Sequence, residues 1–145
     1  MTEVNTTRES MTKESKSYKA NVILLLVSLV FSAATFILYA IDKSNFDHVL
    51  SFVKLGYMFF FVALYAYLVR QWVKNPESLV KGLLWLSLFQ IATIKLGEWN
   101  LGLNPFSVIG VSLDLGSVSI TINVIAIAIL GFTWRYKQRF KLIKT

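Results

Sequence analysis

Four apolar runs separated by short polar links dominate the hydrophobic pattern of the chain. The first run carries no charge over about 22 residues, which at 1.5 Å per residue spans the hydrocarbon core of a bilayer. We therefore predict an all-α membrane protein, a bundle of four transmembrane helices. The predicted helices cover residues 20–41, 49–73, 79–96 and 118–136.

The only long connection, residues 98–122, precedes the fourth run. It alternates apolar and polar residues, which predicts a short β-hairpin. With Leu115-Gly116 as a two-residue turn that places glycine second, Leu113 faces Val118 and Asp114 faces Ser117. The alternative is a longer, continuous fourth helix. The predicted apolar face of the hairpin consists of Ile109, Val111, Leu113, Val118, Ile120 and Ile122.

Composition supports a membrane protein, with 55% hydrophobic residues and a mean hydropathy of +0.58. The net charge of +7 does not indicate nucleic-acid binding, because Lys and Arg flank the apolar runs. They are concentrated in the two tails and in the link around residue 75, which predicts a multi-pass plasma (cytoplasmic) membrane protein with both termini cytoplasmic. The outer segment 98–122 is then extracytoplasmic.

The two tails are polar. We expect residues 1–19 to form a disordered cytoplasmic tail, residues 20–138 to form the transmembrane domain, and residues 139–145 to form a basic cytoplasmic tail. Cations near the start of this last tail are expected to contact anionic lipids of the cytoplasmic leaflet. These lipid-contacting residues are Arg135, Lys137, Arg139 and Lys141.

Two groups of polar residues are candidate sites. Ser87, Gln90 and Thr93 recur every three residues and so share one side of a helix, where they contact another helix or line a pore. Lys54, Lys95 and Glu98 are predicted to form an ion cluster at the outer end. Trp72, near the end of the aromatic second run, is expected at the membrane interface.

Catalysis is not expected, since the chain has one histidine, no cysteine and only scattered acids. No catalytic residue, metal ligand or cofactor is predicted. Small multidrug exporters share the size and the four-helix plan, but they require a glutamate in the first helix, where this chain has none.

Two functions agree with this pattern. The first is a non-enzymatic sensor, an immunity or defence protein, or an accessory subunit, which binds a second copy or another membrane protein through the outer hairpin or the basic faces. The second is an oligomeric pore, a holin-like channel or a small transporter, lined by Ser87, Gln90 and Thr93.

Overall fold

The computed structural model describes residues 15–42, 49–96, 99–101, 110–116 and 118–144, with the backbone alone for 49–50, 95–96, 99–101 and 140–144. This part of the chain is mostly helical, with one small sheet, which confirms the coarse prediction of a helical protein that carries a hairpin. Its helices are α1 (Lys16–Ile41), α2 (Val49–Lys74), α3 (Pro76–Gln90) and α4 (Val124–Lys144).

Helix α1 begins four residues earlier than the hydrophobic pattern predicts. Ser15 is its N-cap, and the Ser15 hydroxyl accepts a hydrogen bond from the Tyr18 backbone N–H at 3.1 Å. Residues 16–19, expected in a disordered tail, are therefore helical. The rest of that predicted tail, residues 1–14, lies outside the described residues.

Two of the described helices are long and apolar enough to cross a membrane, namely α1 and residues 51–74 of α2. Helix α2 matches the prediction to within one residue. Helix α3 has 15 residues, and α4 carries Arg135, Lys137 and Arg139 in its second half, so neither meets this criterion. Neither α3 nor α4 has the bounds that the hydrophobic pattern predicts.

Helix α3 begins at Pro76, because Asn75 occupies the N-cap position and proline suits the first turn. It ends at Gln90, so the predicted helix 79–96 is wrong beyond that residue. Ala92–Leu96 forms strand β1 instead. Its sequence alternates apolar and polar residues with two β-branched side chains, a pattern that suits a strand better than a helix.

The sheet has three longer strands and a three-residue edge strand. Besides β1 these are β2 (Trp99–Leu101), β3 (Gly110–Asp114) and β4 (Val118–Asn123), in the spatial order β2-β1-β4-β3 and all antiparallel. Strand β1 follows α3 after the single residue Ile91, and β4 leads directly into α4. The Asn123 N–H donates to the Ile91 carbonyl at 2.7 Å, where the two chain segments pass from helix to strand.

The predicted hairpin is present, but its register is wrong by two residues. Leu113 faces Ile120 and Val111 faces Ile122, instead of Val118 and Ile120. The Leu115 N–H donates to the Val118 carbonyl at 2.9 Å, so Gly116 comes first in the two-residue loop. Its φ of +81° is accessible to glycine. Because the shift is even, the predicted apolar residues still share one face.

Glycine is also required at the start of β3. A Cβ atom on Gly110 would lie 2.7 Å from Thr121 Cγ2 and 2.9 Å from the Ile122 carbonyl oxygen. Ile109, the remaining member of the predicted apolar face, lies outside the described residues.

Helix α4 begins at Val124 and not at residue 118, which excludes the alternative of a longer fourth helix. Asn123, the last residue of β4, accepts a hydrogen bond from the Ala126 N–H through its side-chain oxygen at 3.2 Å and so caps α4. The helix continues to Lys144, so the predicted basic tail 139–145 is helical up to that residue.

The helices pack in a ring in which α1 contacts α2 and α4, α4 contacts α3, and α2 and α3 meet over a smaller area. Their shared core is apolar and aromatic. Its most buried members are Leu25, Phe61, Trp72, Leu83, Ile129 and Tyr136.

The hairpin register can be tested with introduced cysteines, because the chain has none of its own. Ser112 and Thr121 face each other, so we expect a Ser112→Cys/Thr121→Cys variant to form an intramolecular disulfide under mild oxidation. Gel mobility with and without reductant measures the cross-link. The matched pair Ser112→Cys/Ser119→Cys, which the sequence-based register predicts, should stay reduced, since diagonal neighbours are about 7–8 Å apart. Preferential oxidation of this second pair would contradict the observed register.

Candidate functional site

The outer sheet is amphipathic. Val111 and Leu113 on β3 share a face with Ile120 and Ile122 on β4 and with Ile94 on β1, by the observed register. The opposite face carries hydroxyl groups, and Ser112 Oγ lies 2.8 Å from Thr121 Oγ1. The apolar face is only partly covered, since Val111 is 59% and Leu113 56% exposed.

Strand β3 is an open edge of this sheet. All five of its residues are exposed, and among the described strands it pairs with β4 alone. The Leu115–Val118 hydrogen bond fixes which residues of β3 bond to β4, since hydrogen-bonded and non-hydrogen-bonded pairs alternate. By that alternation the N–H and C=O groups of Ser112 and Asp114 point away from β4. These groups can accept another strand.

The predicted stripe of Ser87, Gln90 and Thr93 lies inside the protein. All three residues are buried, although Thr93 belongs to β1 and not to α3. The Tyr65 hydroxyl of α2 donates to Gln90 Oε1 at 3.1 Å. Gln90 therefore contacts another helix of the same chain, and its Nε2 is buried without a hydrogen-bond partner among the described residues.

The predicted outer ion cluster is not assembled by the described residues. Lys54 is exposed, and its Nζ lies 4.7 Å from the centre of the Tyr39 ring on α1, a cation–π contact. Lys95 belongs to β1, but its side chain and the whole of Glu98 lie outside the described residues.

The predicted lipid-contacting cations are on the last turns of α4. Arg135 and Arg139 are exposed, whereas Lys137 is half-buried and its Nζ lies 5.5 Å from the centre of the Trp134 ring. The side chain of Lys141 lies outside the described residues.

A buried cluster at the end of the bundle opposite the sheet was not predicted. Asn21 Nδ2 donates to Thr133 Oγ1 at 2.9 Å between α1 and α4, and both residues are fully buried. Beside them the Tyr18 ring stacks on the Trp72 ring with centroids 6.2 Å apart, and the Tyr136 ring lies 5.3 Å from Trp72. Trp72 is completely buried, so it packs inside the bundle and is not exposed on its surface.

One sequence signal points to that cluster, namely an asparagine inside the first apolar run. Asn21 is the only amide in that run, and an amide surrounded by apolar residues requires a partner. The identity of the partner has no local signal, since Thr133 follows 112 residues later.

The described residues contain no group of three histidine, cysteine, aspartate or glutamate side chains that can hold a metal ion. What the described surface offers instead is an open strand edge, an apolar sheet face and apolar helix surfaces.

The Tyr65–Gln90 contact predicts energetic coupling between α2 and α3. Tyr65→Phe and Gln90→Leu each leave a buried polar group unpaired, whereas the double variant removes both groups. We expect a coupling energy of about 0.5–1.5 kcal/mol in a double-mutant cycle, measured by equilibrium unfolding in mixed micelles.

Tyr67, which is 53% exposed on the same helix, provides the control. A Tyr67→Phe/Gln90→Leu cycle should be additive to within about 0.3 kcal/mol. The same additivity for Tyr65 and Gln90 would show that their hydrogen bond contributes nothing to stability.

No protein-family model, curated protein or solved structure matches this chain.

Proposed function

We propose that the chain is a multi-pass integral membrane protein, without enzymatic activity, that binds a membrane-protein partner by strand addition along β3. The observation that carries this proposal is the edge of β3 that no described strand covers, which offers backbone N–H and C=O groups beside exposed apolar side chains. Edge strands are usually protected by charged residues or proline, and β3 carries only Asp114. A sensor, an immunity protein or an accessory subunit would use such an edge.

Apolar exposure supports the membrane location. Only 17% of the most apolar window of α1 and 22% of that of α2 is buried inside the protein. A core helix of a soluble domain would be mostly buried, so these surfaces require lipid or another protein as cover. In this proposal α3 and α4 complete a four-helix membrane domain in the plasma membrane.

The proposed orientation places both chain ends in the cytoplasm. The ends of α2 and α4 and the start of α3 lie together, with Arg70, Lys74, Arg135 and Arg139 nearby, whereas the sheet lies at the other end. Lys and Arg are concentrated on the cytoplasmic side of membrane proteins. The sheet is then extracytoplasmic.

A second copy of the chain is the first partner to test. Two copies in one membrane hold their β3 edges at the same depth, so each edge can offer its outward N–H and C=O groups to the other copy. We favour partner binding over a pore, because Ser87, Gln90 and Thr93 are buried within one chain and Gln90 accepts a hydrogen bond from Tyr65 of α2.

Orientation is measurable with single cysteines and a membrane-impermeant thiol reagent. Leu115 is 71% exposed beside the hairpin loop, and Glu77 is exposed at the start of α3. We expect Leu115→Cys to be labelled in intact cells and Glu77→Cys to be labelled only after permeabilisation. Labelling of Glu77→Cys in intact cells would overturn the proposed orientation.

Strand addition is tested by removing one outward-pointing N–H. We expect Ser112→Pro to reduce co-purification of two differently tagged copies by about tenfold or more, because proline removes the donor and its ring obstructs the incoming strand. Ser112→Ala is the matched control, since it removes the same hydroxyl contact with Thr121 but keeps the N–H. Its co-purification should equal that of the unmodified chain.

If copies of the chain do not associate, the same two variants are compared for other membrane proteins that co-purify after cross-linking. Partners that are retained with Ser112→Ala and lost with Ser112→Pro support the proposal. An unchanged set of partners with Ser112→Pro would refute strand addition at β3.

A further inference from the structure

A groove between α3 and α4 has a chemistry distinct from that of the outer sheet. Its volume is about 720 Å³, which is in the range of small-molecule sites. Two lysines, Lys81 on α3 and Lys137 on α4, are among its lining residues. The rest of the lining is apolar and includes Trp85, Leu88, Gly131 and Trp134.

Both lysines lie at the inner end of the groove. The Asn123 N–H donates to the Ile91 carbonyl at the outer end of the helix pair. Ile91 and Asn123 therefore lie at the same height along the two antiparallel helices. Because each residue adds about 1.5 Å, Lys81 lies about 15 Å inward of Ile91, close to the depth of Trp134. Lys137 lies nearly one turn further inward, whereas Leu88 is near the outer end.

Neither lysine forms an ion pair with a carboxylate in the described part of the chain. Lys137 contacts the face of the Trp134 ring, and Lys81 is exposed. The groove is thus cationic at one end, where no described carboxylate neutralises the lysines, and apolar along the rest of its length. This distribution is complementary to an amphiphile with an anionic head and a hydrocarbon tail.

The apolar part of the groove is open to the surroundings. Trp85 is 62% and Trp134 54% exposed, and Gly131 contributes no side chain between them. In a bilayer these surfaces face acyl chains. The cations lie toward the cytoplasmic leaflet in the proposed orientation, where anionic lipids attract them.

We propose that this groove binds one anionic phospholipid of the cytoplasmic leaflet, with its phosphate between Lys81 and Lys137 and one acyl chain along Trp85, Gly131 and Leu88. This inference rests on the proposed membrane location of α3 and α4 and is independent of strand addition at β3.

The test is native mass spectrometry of the full chain in detergent, titrated with phosphatidylglycerol or with phosphatidylcholine. We expect one phosphatidylglycerol to bind with at least tenfold preference over phosphatidylcholine. Lys81→Gln/Lys137→Gln should weaken phosphatidylglycerol binding roughly tenfold, because two cations near the phosphate are lost. The matched control is Lys16→Gln/Lys74→Gln, which removes the same charge from exposed positions at the same end of the bundle.

The acyl-chain part of the site is tested by Gly131→Leu. A Cβ atom at Gly131 meets no atom within 4 Å, so the leucine fits and fills the groove. We expect it to weaken phosphatidylglycerol binding severalfold with both lysines intact. Gly56→Leu on α2, where a Cβ is equally free of contacts, is the control and should bind as the unmodified chain does.

Two results would overturn the groove site. Equal weakening by both lysine pairs would mean a diffuse attraction to the basic end, and unchanged binding by Gly131→Leu would exclude an acyl chain from the groove. Either result obtained while Glu77→Cys still labels only after permeabilisation refutes the lipid site and leaves the proposed orientation intact.

Discussion

Every buried backbone N–H and C=O group needs a hydrogen-bond partner, and this requirement shapes the end of the bundle where the helices meet the sheet. Helix α3 ends at Gln90 and α4 begins at Val124, each leaving backbone groups without a partner in its own helix. The Ile91 carbonyl accepts from the Asn123 N–H, and the Asn123 side chain accepts from the Ala126 N–H. One backbone group at each of these helix ends is thereby paired, and the pairing of β1 with β4 begins directly beside this junction.

The period of the hydrophobic pattern explains which features of the sheet were predictable from the sequence. The alternation of residues 110–122 has a period of two, so a hairpin with the correct faces was predicted. The register was wrong because the position of the turn depends on which loop residue takes a positive φ, and Gly116 takes it as the first residue of the loop. The pattern alone permits either position.

Strand β1 was missed for a different reason. Ala92–Leu96 follows an apolar helical run directly, and with Lys95 at the interface the segment also resembles the end of a transmembrane helix. Its pairing with β4 joins residues about 25 positions apart, such as Ile94 and Ile120. The Asn21–Thr133 contact likewise joins distant parts of the chain and closes the helix ring between α1 and α4. In a membrane, such polar contacts select helix partners, since lipid is as apolar as the helix surfaces.

If α3 spans the membrane as proposed, the unequal lengths of the helices determine the depth of the sheet. Helix α3, with 15 residues, spans about 22 Å, whereas the hydrocarbon core is about 30 Å thick. The remaining thickness corresponds to two or three strand residues at about 3.3 Å each, which is the distance from Ala92 to Ile94. Ser112 pairs with Thr121, and Thr121 pairs with Thr93, so all three lie at that depth. The outward N–H of Ser112 then lies close to the hydrocarbon boundary, where water is scarce and an unpaired donor is costly. A second strand beside β3 would remove that cost, so in the proposed orientation this depth, more than the apolar side chains alone, favours strand addition at β3.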